Sequence, residues 1–351
     1  MIDLANRAHW LCGFSLLVTL SLISGCDSQA TNISVSNMQL GEQLWGIQKQ
    51  STSSFIREAK VLESEIAALC EVKTHEALAG SQTQWVKTIK AWQSVAGANY
   101  GNEAAMSLSW QIQFYPDKKN TIGRQIGKLL KSDKDMSALS LENQSVAVQG
   151  LGALEWLLFD GMQKGESKID ILVSRCPLTQ AISSHLVFSS ELMASAWQDN
   201  LWKGAAKEQR ERDALNILAS QLDSAIKTLS LPMGKPGYPK PYQAQAWRSG
   251  QSLALLRERI EALQARYIGS VDGVLREQGR EALADRLVKH WSFALESVPN
   301  GDAIKPYLSE PAEYRKLITL SNNLEYIKIA LADEVAAALG MVVGFNSTDG
   351  D

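Results

Sequence analysis

Apolar residues recur at intervals of three and four along almost the whole chain, a period that commits the backbone to helix. Phe55, Leu62, Ile66 and Leu69 share one face of a first long helix, and Trp85, Ile89, Trp92 and Ala96 share one face of a second. Ile122, Ile126 and Leu129 mark a third, and Ala147, Leu151, Leu154 and Leu158 a fourth. Two more follow from Ile182, Leu186, Met193, Trp197 and from Leu215, Leu218, Leu222, Ile226, Leu229. No segment keeps the two-residue alternation of a strand, so the fold class is all-α. Between Leu231 and Tyr242 stand four prolines and two glycines, which remove donors and exclude helix at preceding residues. Residues 231–246 therefore read as a crossing segment. Beyond it, Leu253, Leu256, Ile260, Leu263, Tyr267, then Leu283, Leu287, Trp291, then Leu317 to Val342 supply further stripes. The expected architecture is two packed antiparallel helical bundles, 38–230 and 247–351.

The N-terminus adds an address. A polar start with Arg7 precedes the apolar run Leu11 to Ile23, which is too short to span a bilayer and suits the core of a signal peptide over residues 1–25. The run closes on Leu22-Ile23-Ser24-Gly25-Cys26, small residues before a cysteine, as in the lipobox of bacterial lipoproteins. Cys26 is then the lipid-bearing first residue of the mature chain, with an ordinary signal peptide that happens to contain a cysteine, or an uncleaved anchor, as the alternative. Residues 26–37 carry too little apolar surface to offset the entropy of ordering them and read as a flexible tether. Asp27 resembles the signal that retains lipoproteins in the inner membrane of some Gram-negative bacteria. The expected location is the periplasmic side of a membrane.

Removing residues 1–25 takes one acid and one base and leaves the net charge at −3. That balance excludes a nucleic-acid binder, which needs a concentrated basic face. Besides the anchor, the mature chain keeps Cys70 and Cys176, and an exported protein resides where disulfides persist. One Cys70–Cys176 bridge is the economical reading, with a pair of buried free thiols as the alternative.

Three histidines, His75, His185 and His290, remain after maturation, without a zinc-type spacing, and no HExxH, Walker loop, GxSxG or CxxC motif is present. His290 follows Leu287 on an apolar stripe, where a satisfied packing role outweighs a ligand role. The stretch Gln149-Gly-Leu-Gly-Ala-Leu-Glu-Trp-Leu-Leu-Phe159 says more. Gly150 and Gly152 each weaken an otherwise apolar helix by about 1 kcal/mol relative to alanine, which points to a close approach. Glu155 borders the buried stripe, so its carboxylate must find partners or shift its pKa.

In this stretch the chain resembles the imelysin family, bacterial envelope proteins that include insulin-cleaving metallopeptidases and iron-regulated proteins. The family's GxHxxE motif aligns with Gly150-Leu-Gly152-Ala-Leu-Glu155: glycine and glutamate match, and Gly152 stands in the histidine's place. Further resemblance lies in Trp110-Gln-Ile-Gln-Phe-Tyr-Pro-Asp-Lys-Lys-Asn120, in Trp247-Arg-Ser249 and in Gly344-Phe-Asn-Ser-Thr-Asp-Gly-Asp351, in the family's order. The resemblance implies two helical bundles with a site near their interface, a docked C-terminal tail, and a link to iron acquisition.

A glycine can neither ligate a metal nor move a proton, so the expected protein binds or delivers rather than cleaves. Glu155, Asp117, Arg248 and Ser249 form the expected ligand site, with Glu155 as the candidate metal ligand because carboxylates suit hard cations. The expected cargo is iron or another divalent metal, and the expected partners are the membrane and iron-transport proteins. Asp117 has a second reading as a helix entry, and Arg248 as an ion-pair partner of Glu155 or Asp117. A metal-dependent peptidase with another ligand set and an interaction scaffold are the alternatives.

Overall fold

The computed structural model describes residues 28–132, 136, 139–159 and 168–341. Described residues form helices and turns with no strand. The long helices are α1 (Ser28–Val72) and α2 (His75–Gln93), after which come the short α3 (Glu103–Ser107) and α4 (Ser109–Ile112), then α5 (Thr121–Leu130), α6 (Gly150–Phe159), α7 (Lys168–Ala196) and α8 (Lys207–Met233). The remainder comprises α9 (Ser252–Ile268), α10 (Val271–Glu277), α11 (Glu281–Glu296), α12 (Lys305–Ser309) and α13 (Pro311–Ala330), which runs through a π turn into α14 (Ala336–Ala338). No helix among the described residues is long and apolar enough to cross a membrane.

The periodic stripes become the core as expected. Phe55, Leu62, Ile66 and Leu69 of α1 are buried, as are Trp85, Ile89 and Trp92 of α2 and Leu151, Leu154 and Leu158 of α6. Helices α1, α2, α6 and α7 pack into one bundle, and α8, α9, α11 and α13 into the other. The sequence reading ends the first bundle at 230; in the structure α8 packs on α9 and α13, and Lys328 of α13 donates to Asp223 of α8. The crossing between bundles is the proline-free stretch 197–206, and the proline-rich segment instead links two helices of one bundle. Proline marks where helix stops, not which neighbour the next helix chooses. Leu231 and Pro232 also belong to α8, whose last turn tolerates one missing donor; the segment's own structure is a short 3₁₀ turn, Pro241–Gln243.

The N-terminal expectation also changes. Helix α1 already begins at Ser28, so residues 28–37, read from composition as tether, are helical. Extending a nucleated helix costs far less than starting one, and polar composition alone does not stop it. The signal peptide, Cys26, Asp27 and the tail from 342 onward lie outside the described residues. Cys70 and Cys176 form a disulfide with Cα atoms 5.6 Å apart, which ties the end of α1 to α7. The free-thiol alternative is thereby removed.

Candidate functional site

Gly150 opens α6 with φ +63°, a left-handed conformation that costs glycine nothing. A Cβ there would lie 2.2 Å from the Ile112 carbonyl oxygen and 2.3 Å from that of Gln111, so backbone fills the space a side chain would need. The α6 start is thus pressed onto the end of α4, and Trp85 Nε1 of α2 donates to the Leu151 carbonyl at 3.0 Å. Held from both sides, α6 carries Gly152 and Glu155 on consecutive turns of its inner face.

Glu155 is 5% exposed. Its Oε1 accepts three hydrogen bonds: from the Arg248 backbone N–H at 3.0 Å, the Ser249 N–H at 2.9 Å and the Ser249 hydroxyl at 3.0 Å. All three donors sit on the turn before α9, where Ala246 (φ +52°) and Gly250 (φ +72°) bend the chain back toward α6. The carboxylate therefore pins the connection between α8 and α9 of the second bundle to a helix of the first. Burial pushes its pKa up from the ordinary 4.5; the Ser249 N–H, the Arg248 charge and the other two donors pull it back only in part.

Asp117 serves α5. Its two oxygens accept from the Thr121 N–H at 2.6 Å and the Ile122 N–H at 3.1 Å, satisfying two free donors at the helix N-terminus. The helix-entry reading describes this geometry. Arg248 lies 4.4 Å over the Trp247 ring and donates from Nη2 to Asn120 Oδ1 at 2.7 Å. Glu155, Asp117, Gly152 and Arg248 do line one cavity, of about 30 Å³, roughly one water molecule's worth of space. The sequence-derived set is therefore brought together, as a packed polar junction with little free volume.

This donor set does not suit a resident metal. A hard cation asks for several oxygen ligands with free lone pairs, whereas one Glu155 oxygen is occupied threefold, both Asp117 oxygens bind backbone N–H groups, and a guanidinium stands alongside. Among the described residues no three His, Cys, Asp or Glu side chains converge. His185 bonds Gln149 Oε1 at 3.1 Å, and burial lowers its pKa despite Glu142 nearby. His290 stacks on Tyr326 with centroids 3.7 Å apart, so it packs against an aromatic ring.

Comparison with known proteins resolves the lineage. The imelysin family, peptidase M75, matches residues 52–330. The chain belongs to the imelysin family. A crystal structure of an imelysin-like protein from Psychrobacter arcticum shares the fold at TM-score 0.70 and 19% identity, covering 92% of this chain and 100% of that one. Another, of an iron-regulated protein A precursor from Parabacteroides distasonis, matches at TM-score 0.68 and 12% identity, over 90% of this chain and 97% of that one. No curated protein matches. Ile122 Cδ1 lies 2.8 Å from where a Gly152 Cβ would stand, so an isoleucine of α5 packs into the room that a side chain at 152 would need.

Sequence reasoning missed Ile122 in that role and Asn120 as the Arg248 partner. It also missed the Tyr115 hydroxyl, which donates to the Gln243 carbonyl at 3.0 Å and adds a second tie to the α8–α9 connection. Ile122 reads as ordinary stripe, and nothing in its spacing links it to Gly152. Arg259 carried a better signal, a charge embedded between Leu256 and Ile260 on an apolar face.

Proposed function

We propose that this imelysin-family protein is a lipid-anchored envelope protein that binds and delivers a cargo linked to iron uptake, and that it does not cleave peptides. The observation that carries the reading is the state of the motif. Its glutamate is held by three donors of the 248–249 turn, and its histidine position is a glycine closed over by Ile122. Water activation needs a base or metal with open access to solvent and substrate, and a junction with about 30 Å³ of free space offers neither. The iron link is supported by the neighbour named iron-regulated protein A precursor, and the envelope location by the apolar run ending at Cys26.

Complementation tests the reading in cells. In a strain lacking the protein, uptake of radiolabelled iron should fall under iron limitation. The wild type and Glu155→Gln should both restore it, because the amide oxygen still accepts from Arg248 and Ser249. Cys26→Ser should lose labelling by a radioactive fatty acid and restore uptake poorly. Normal iron uptake in the deletion strain removes the iron link; rescue by wild type but not by a folded Glu155→Gln protein assigns the carboxylate a chemical role.

A further inference from the structure

A larger space lies elsewhere. Between the end of α2, the 113–118 segment and α8 opens a cavity of about 560 Å³, within the size range of pockets for small organic ligands. Trp92, Trp110 and Tyr115 give it flat apolar walls, and Trp110 is 52% exposed at its mouth. Its walls are fixed by close contacts. Gly97, at φ +83°, brings its backbone so near α8 that a Cβ would sit 2.5 Å from Ser224 Cβ, and Gln221 Nε2 donates to the carbonyls of Val95 and Ala96.

The charge lining this space is one-sided. Arg259, 3% exposed, reaches it from α9. Its Nε and Nη2 donate to Gln93 Oε1 at 3.0 and 2.6 Å, and its Nη1 donates to Ser224 Oγ at 3.1 Å. A guanidinium has five N–H groups, so one hydrogen on each Nη is left without an acceptor among the described residues. No ion pair with a carboxylate is formed by Arg259 among the described residues, although burial of an uncompensated charge is costly. Lys118 and Lys227 add positive charge at the rim. Asp223, the acid in the lining, is already engaged by Lys227 at 2.7 Å and Lys328 at 2.9 Å.

We infer that this pocket binds a small organic carboxylate with a flat apolar body, its anionic end on the free N–H groups of Arg259 and its body against Trp92 and Trp110. A planar carboxylate matches the guanidinium fork, and the ring walls favour a flat partner over a spherical ion. A purely structural arginine bridging Gln93 and Ser224 would need neither the open volume nor the basic rim. The inference does not depend on the iron-linked reading, since it concerns a different cavity and a different ligand chemistry.

The full-length mature protein can be titrated with 2-naphthoate and with neutral 2-naphthamide, followed by calorimetry and tryptophan fluorescence. Saturable naphthoate binding is expected, with naphthamide at least about tenfold weaker for want of the charge. Arg259→Gln should weaken naphthoate by a similar factor. Because that side chain is buried, Lys118→Glu provides an exposed second variant, expected to weaken binding several-fold and to reduce its salt sensitivity. Equal affinity for the amide, no saturable naphthoate binding at millimolar concentration, or unchanged affinity in the folded variants overturns the inference.

Discussion

Glu155 shows how one side chain is turned from chemistry to structure by the donors around it. Deleting it by Glu155→Ala strands the part-buried Arg248 and Ser249 N–H groups, while the Ser249 hydroxyl keeps the Ala246 carbonyl as acceptor, a loss of about 2–5 kcal/mol. Glu155→Gln keeps an acceptor and removes the charge. Since burial raises the folded pKa above the ordinary 4.5, the folded chain favours the neutral acid more than the unfolded chain does. The stability it confers is full below that value and is lost as pH rises through the folded pKa. Melting temperatures of wild type and Glu155→Gln should therefore agree near pH 4, with the wild type falling progressively behind as pH rises. A wild type that gains on the variant with rising pH would mean that the three donors hold the carboxylate ionised. At Gly152 the expectation is equally specific. Gly152→His should destabilise by about 1–3 kcal/mol through overpacking against Ile122, and adding Ile122→Ala should recover part of that loss. Chemical denaturation of the single and double variants measures both, and additive losses would show that the two positions do not share one space.

At the scale of elements, helix identity was legible because burial and period are the same information: the stripes named from spacing are the buried faces of α1, α2, α6 and α8. Element partnership was not. Nothing in Leu215, Leu218 or Leu222 says whether α8 packs on α7 or on α9 and α13, and the proline-rich segment that looked like a boundary is an internal connection. The site was legible in its members, through Glu155, Asp117, Arg248 and Ser249, but not in its wiring. Which donor meets which oxygen depends on where the 246–250 turn comes back to α6, a long-range fact absent from local pattern. The cysteine pair was legible from oxidation state and number. Its closure joins residues 106 apart in sequence, across α1 and α7. In the double variant Cys70→Ala, Cys176→Ala the loss of that constraint should cost about 2–5 kcal/mol, read as a lowered denaturation midpoint. A midpoint equal to that of the oxidised wild type would show that the packing of α1 on α7 suffices without the bridge.

For the whole molecule, the two bundles meet through polar ties set on an apolar interface: Glu155 to the 248–249 turn, Tyr115 to Gln243, and Gln221 to the end of α2. Such an interface suits a body that holds a fixed shape around a pocket, and it leaves the motif region closed. On the proposed reading, this imelysin-family chain holds a cargo and does not cut. That reading is met most directly by incubating purified mature protein with insulin and with an unfolded peptide, with zinc or ferrous ion, with and without chelator, and reading fragments by mass spectrometry. The account predicts no chelator-sensitive fragments above those given by Glu155→Gln. Robust cleavage abolished both by chelator and by Glu155→Gln would contradict it.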